Sequence, residues 1–192
     1  PTNTFVATPN SVLFAGGKPI FADIRGDTLC IDPEDVSRRI SSLTAGVIVV
    51  HIAGLVCPHL RELSELCEDH GLFLLEDSAH AHGASIDGRM AGSLAHAGCF
   101  SFYPTKVMTT GEGGMITTCD AKLDGAARLI RAHGVDPSSG MVVLGHSWRM
   151  NEIEATLGEY QLENIEKFVS RRNEIAKEYK AALRKIDHIA VF

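Results

Sequence analysis

"VIVVHIAGLVCPHLRELSELCEDHGLFLLED", residues 47–77, decides the fold class. Val47 to Ile52 is a continuous apolar run rich in β-branched residues, the composition of a strand covered on both faces. Pro58 to His70 is amphipathic, with Leu60, Leu63, Leu66 and Cys67 at helical spacing, and Gly71 stops it. Leu72 to Leu75 reads as a second buried strand, ending in two acids, Glu76 and Asp77. Strand, helix, strand is the repeating unit of α/β layers built on a largely parallel sheet. Upstream, Ile20 to Ile24 reads as a short strand closed by Gly26. Pro33 to Ile40 reads as a helix, with Asp32 as N-cap, Pro33 at the first position, and Glu34 and Asp35 at the positive helix start.

Downstream, "FSFYPTKVMTTGEGGMITT", residues 100–118, reads as strand, turn, strand. Phe100 to Tyr103 is short and aromatic, and Pro104 breaks it. Gly111, Gly113 and Gly114 precede a second β-type run, Met115 to Thr118, and both strands are expected to be buried. Asp120 to Ala132 is expected to be helical. Residues 150–186 carry one long helical pattern, opened by Asn151 and Glu154 as a capping box. Ile153, Leu157, Tyr160, Ile165, Phe168, Ile175, Tyr179 and Leu183 mark its apolar face.

The 192 residues are 45% hydrophobic and 22% charged, enough apolar material for a core in one domain, or one domain plus a piece of another. The net charge of −6 and the lack of a basic stripe argue against nucleic acid as a partner. Five scattered cysteines, an odd number with no CxxC pair, favour reduced thiols and an intracellular, cytoplasmic setting. The longest apolar run, Ala45 to Val56, is too short to span a bilayer. The chain starts at Pro1 and reads as a piece of a longer protein.

The chemistry-bearing residues cluster at strand ends, and ligands of open α/β sheets bind beyond the carboxyl ends of the strands. Asp77 is either a helix-capping or turn acid or an acid facing a ligand cation, since a strand-end carboxylate needs a cation or donors. His80 and His82 form an H-x-H pair; no third metal ligand accompanies it, so a ligand-contacting or a structural histidine is preferred to a metal site. Ser101 lies in a strand, where its hydroxyl is able to donate to a phosphate. Lys106 follows Pro104 and Thr105 and is flanked by Val107 and Met108, the setting of an amine nucleophile for a carbonyl, which is Schiff-base chemistry. The "GEGG" run follows no phosphate-loop pattern and reads as a tight turn. A Schiff-base lysine, an acid for a pyridinium nitrogen and a hydroxyl for a phosphate together match what pyridoxal 5'-phosphate requires.

"EDSAHAHGA", "GSLAHAGCFSFYPTKVMTTGEGGMITT" and "LGHSWRMNEIEATLGEYQLENIEKFVSRRNEIAKEY" resemble the nucleotide-sugar aminotransferases of the DegT/StrS type, which belong to the fold-type I pyridoxal phosphate enzymes. The resemblance runs from "TFVATPNSVLFAGGKPIFADI" to about Leu183, and "TTGEGG" after a lysine is its most specific motif. It implies a three-layer α/β/α sandwich with a mostly parallel mixed sheet. Residues 1–150 would form a cofactor-binding large domain without its N-terminal part, and residues 151–192 a long helix leading to a small C-terminal domain. It implies Lys106 as the Schiff-base lysine and proton carrier, Asp77 on the pyridine nitrogen, His80 near the ring hydroxyl, Ser101 on the phosphate and Phe5 stacked on the ring. In the loop written Gly-aromatic-Asn-aromatic-Arg this chain has Gly145-His146-Ser147-Trp148-Arg149. Ser147 thus stands where the family's asparagine touches a neighbouring subunit's phosphate, and Arg149 would meet substrate. A serine/threonine-rich helix start that cups the phosphate in the family lies before the segment matched here. The implied partners are a nucleotide-linked keto-sugar, glutamate as amino donor, and a second subunit in a homodimer with a shared active site. Relatives that dehydrate sugars carry histidine in place of this lysine, so Lys106 favours amino transfer. Cyclitol and other ketones remain alternative acceptors, and a non-catalytic relative of the fold is the competing reading.

Overall fold

The computed structural model describes residues 1–189. The end of the expected 151–192 segment, residues 190–192, lies outside them. The elements in chain order are α1 (Ala7–Phe14), α2 (Pro33–Arg39), β1 (Gly46–Val50), α3 (Leu60–Asp69), β2 (Phe73–Asp77), β3 (Ser85–Ile86) and β4 (Arg89–Met90). They continue with β5 (Ala97–Ser101), β6 (Gly114–Thr117), α4 (Ala121–Arg131), β7 (Val135–Asp136), β8 (Gly140–Met141), α5 (Glu152–Glu163) and α6 (Ile165–Leu183).

The main sheet has the order β1-β2-β5-β6. β1, β2 and β5 are parallel, and β6 returns antiparallel to β5. This is the mostly parallel mixed sheet expected from the sequence. α3 joins β1 to β2 and covers them. Its Leu60, Leu63 and Cys67 pack with Val47, Val49, Leu72 and Leu74 in the main buried cluster. Each leucine or valine fully buried there contributes about 2 kcal/mol. α2 starts as expected: the Asp32 carboxylate accepts the Glu34 amide at 3.1 Å, with Pro33 at the first position. α4 starts likewise on Asp120, and α5 on the Asn151–Glu154 capping box.

Several expectations need correction. Ile20 to Ile24 is not a strand; a single bridge joins Ile24 to Ile31. Its backbone groups go elsewhere, the Asp23 amide donating to the Asp35 carboxylate at 2.8 Å, so no ladder remains to be built. The Val47–Ile52 run leaves the sheet after Val50, and Ile52–Gly54 forms one 3-10 turn. Strand β2 is displaced toward the acids and includes Glu76 and Asp77 in its ladder. The helical pattern over 150–186 is two helices, parted at Asn164, whose side-chain amide donates to the Tyr160 carbonyl at 2.8 Å. Such local side chain–backbone bonding competes with helix continuation.

The 100–118 stretch is strand, turn, strand as read, with β5 beginning earlier, at Ala97. Of these two strands, β5 lies in the sheet interior and β6 at its edge. β6 has one neighbour and exposes Met115 by 50% and Ile116 by 52%, so its expected burial does not hold among the described residues. The intervening loop is pinned at its base. The Phe102 amide donates to the Gly113 carbonyl at 2.9 Å, and the Thr109 hydroxyl and Thr110 amide both donate to the Phe102 carbonyl, at 2.7 and 3.0 Å. Gly113 sits at φ +134°, where a Cβ would also lie 2.8 Å from the Thr110 hydroxyl and 2.9 Å from the Met150 methyl. Only glycine closes that turn without strain.

Candidate active site

The topology decides where the site is. β1, β2 and β5 end at the same edge because they are parallel, and antiparallel β6 begins there. The register aligns Val50, Asp77 and Cys99 side by side. Ser101 lies two residues past Cys99 and so shares the face of Asp77. The loop carrying Lys106 connects the end of β5 to the start of β6, at this edge.

Asp77 is partly buried, and both carboxylate oxygens have partners. Oδ2 accepts the Thr8 hydroxyl at 2.6 Å, and Oδ1 accepts the Ala79 amide at 3.2 Å. His80 lies beside it, its Nδ1 accepting the Ala53 amide at 3.3 Å. That bond fixes the neutral tautomer with its proton on Nε2. Burial holds the His80 ring below the ordinary histidine value, the Lys106 charge adds to this, and Asp77 opposes it. The same influences place Lys106, His80 and Asp77 within one electrostatic neighbourhood. Lys106 is half-buried, its backbone amide bonded to the Tyr103 carbonyl at 3.0 Å. Its ammonium takes part in none of the ion pairs found among the described residues. Ser101 Oγ accepts the Tyr103 amide at 3.4 Å, which leaves its proton available.

His82 points away from a shared H-x-H role. Its ring is buried against Phe100 and Phe102, with centroids 5.2 and 5.9 Å apart. Neither ring nitrogen has a partner at hydrogen-bonding geometry, although the Ser101 backbone faces the ring. Burial, foremost, holds it below the ordinary value, and Lys106 and His80 add to that.

Glu76, on the opposite face of β2, is completely buried. Its Oε1 accepts the Leu94 and Ala95 amides at 2.7 and 2.9 Å. Its Oε2 accepts the Gly92 amide at 2.7 Å and faces His51 Nε2 at 2.9 Å. His51 Nδ1 in turn accepts the Cys57 amide at 3.2 Å, so Nε2 carries the proton. Burial pushes Glu76 up, but His51 and the amides of Gly92 and Leu94 outweigh it and leave the carboxyl below its ordinary value. The sequence reading passed over this network and over Thr8. An acid within a buried strand is the available signal for Glu76, because such a charge demands partners. Thr8 gives no sequence signal.

The remaining candidates are not joined to this cluster directly. Phe5 is 72% exposed and precedes α1; it connects to the cluster through Thr8 of that helix, whose amide donates to the Phe5 carbonyl and whose hydroxyl reaches Asp77. Ser147 and Arg149 are exposed. Their loop is held by a bridge from Ser147 to Ala132 and by the Trp148 amide on the Arg131 carbonyl at 3.0 Å. No hydrogen bond among the described residues ties either one to Asp77 or Lys106.

A half-buried lysine on the loop after β5 and a strand-end carboxylate thus share the carboxyl edge of a mostly parallel sheet, and the architecture is that of an α/β protein. Solved structures share this fold. DesI, studied in the presence of its TDP-sugar product, matches with a TM-score of 0.93 and 35% identity over 100% of this chain and 49% of its own. Helicobacter pylori PseC, an aminotransferase involved in the biosynthesis of pseudoaminic acid, matches with a TM-score of 0.87 and 35% identity over 93% of this chain and 48% of its own. By sequence, GDP-perosamine synthase of Vibrio cholerae is 36% identical over 186 residues, 95% of this chain and 50% of that protein. The description of the DegT/DnrJ/EryC1/StrS aminotransferase family fits residues 1–192, and the chain belongs to that family. The chain spans about half the length of the curated relatives it matches.

Proposed function

We propose that the protein carrying this chain is a pyridoxal 5'-phosphate-dependent aminotransferase that moves an amino group from glutamate to a keto group of a nucleotide-linked sugar. The convergence of Lys106, Asp77 and His80 at one sheet edge carries this reading. It is supported by relatives that include GDP-perosamine synthase and a dTDP-3-amino-3,4,6-trideoxy-alpha-D-glucose transaminase. The residues present fit the cofactor: an amine outside the ion pairs found among the described residues, a strand-end carboxylate, a neutral imidazole with its proton on Nε2, and a serine hydroxyl that accepts a backbone amide and so keeps its proton to donate.

Bound there, pyridoxal phosphate supplies an electron sink for the carbon bearing the transferred nitrogen. Lys106 Nζ would hold the cofactor covalently through its aldehyde carbon. Once displaced by substrate, the same amine would carry the proton that changes position during transfer. Asp77 would hold the proton of the ring nitrogen, and His80 would donate from Nε2 to the ring oxygen. Ser101 would donate to the phosphate, and Phe5 would cover a ring face. Ser147 and Arg149, outside the cluster of their own chain, suit a role at the site of a second subunit, the former toward phosphate and the latter toward substrate. Residues 1–150 would then belong to the cofactor-binding domain, and 151–192 to the helical connection beyond it. No helix among the described residues is long and apolar enough to cross a membrane. The proposed setting is cytoplasmic.

The full-length protein mixed with pyridoxal 5'-phosphate is expected to gain a visible absorption band that Lys106→Ala abolishes. It is further expected to turn over glutamate only in the presence of a nucleotide-linked keto-sugar. A protein that stays colourless would contradict this reading and favour the non-catalytic alternative.

A further inference from the structure

We propose that Thr8 is a positioning residue that orients Asp77 and ties it to the segment bearing Phe5. This rests on the cofactor reading above. The Thr8 hydroxyl donates to Asp77 Oδ2 at 2.6 Å, across 69 positions of sequence, while the Ala79 amide holds Oδ1 at 3.2 Å. The two donors come from different elements, α1 and the loop after β2, so the carboxylate cannot rotate without losing one of them. A threonine hydroxyl has one proton, and here it is committed to Asp77. The Thr4 hydroxyl, 2.7 Å from that of Thr8, must therefore be the donor in their contact. The result is a directed relay, Thr4 to Thr8 to Asp77, in which each bond polarises the next.

The same residue also holds the aromatic. The Thr8 amide donates to the Phe5 carbonyl at 3.1 Å. One residue thus fixes, through its backbone, the segment proposed to cover the ring and, through its side chain, the acid proposed to meet the ring nitrogen. Functional side chains need such support, because a carboxylate free to rotate loses its aim.

The test compares Thr8→Val, which removes the hydroxyl, with Thr8→Ser, which keeps it, in the full-length protein. Binding of pyridoxal 5'-phosphate is followed by absorbance titration, and the visible band of the bound form is followed against pH. Thr8→Val is expected to weaken cofactor binding by about tenfold, the effect of one hydrogen bond to a charged group, and to shift the pH profile of the band. Thr8→Ser is expected to restore both. If Thr8→Val fails to fold, Thr4→Val, which removes the first donor of the relay, is expected to shift the same profile in the same direction. Unchanged binding and profile in Thr8→Val, or no rescue by serine, would overturn the positioning role alone. A wild-type protein that forms no visible band would overturn the cofactor reading, and this inference with it.

Discussion

Lys106 stands out among the lysines and arginines of the described residues, because it is half-buried at a sheet edge and its ammonium takes part in none of the ion pairs found there. The charge is felt by its neighbours instead. Burial, then Lys106, holds His80 below the ordinary histidine value of 6.5, against the pull of Asp77. In the cofactor-free protein, the His80 ring is therefore expected to titrate below 6.5, as followed by NMR. Removing the ammonium in Lys106→Ala takes away a like charge, so the His80 value is expected to rise toward 6.5. A value that does not move would separate the two side chains and weaken the site. At this scale the sequence was informative about Lys106, Asp77 and Ser101, because their types and spacing match one cofactor's needs. It was silent on Thr8, since a hydroxyl on a helix is common and only the fold brings it to Asp77.

At the scale of elements, the ends of β1 and β2 are joined by a side-chain network rather than by their ladder alone. His51, two residues past the Val49 that pairs with Glu76, faces that acid just beyond β1, which ends at Val50 although the apolar pattern continues to Ile52. Glu76→Gln would place an amide N–H group where Oε2 now accepts from Gly92 and faces the His51 N–H. Donors would then oppose donors in a fully buried site. The variant is expected to lose about 3 kcal/mol of stability at neutral pH, measured by denaturant unfolding. Because the folded Glu76 value is depressed, its contribution is present above the ordinary glutamate value of 4.5 and disappears as pH falls through the folded value. The difference between wild type and variant should therefore shrink in acid; a constant difference would deny the carboxylate its role. Periodicity located α2, α3 and α4 and the β5–β6 pair, where local signals and tertiary packing agree. It missed α1, whose Pro9 and Asn10 speak against a helix, and the short hairpins β3–β4 and β7–β8, which offer too few residues for a pattern. It merged α5 and α6 because their apolar faces continue across Asn164 while the backbone does not.

For the whole molecule, the consequential feature is the direction of the strands. Three parallel strands bring residues from distant parts of the chain to one edge, and the antiparallel return to β6 sets the lysine loop across it. The parallel pairing of β1 and β2 followed from the strand, helix, strand reading of residues 47–77 and was visible in the sequence. What the sequence left hidden was the exposure of apolar side chains: Phe5, Phe14, Met115, Ile153 and Tyr160 are each at least half exposed among the described residues. Hydrophobic pattern reports what a chain is able to bury, not what covers it. The central claim is that Lys106 forms the covalent link to pyridoxal 5'-phosphate. Its most direct test is borohydride reduction of the cofactor-treated full-length protein, followed by peptide mass spectrometry. The account predicts a phosphopyridoxyl group on Lys106 and its loss from that peptide in Lys106→Ala. A label on another lysine, or no label at all, would contradict it.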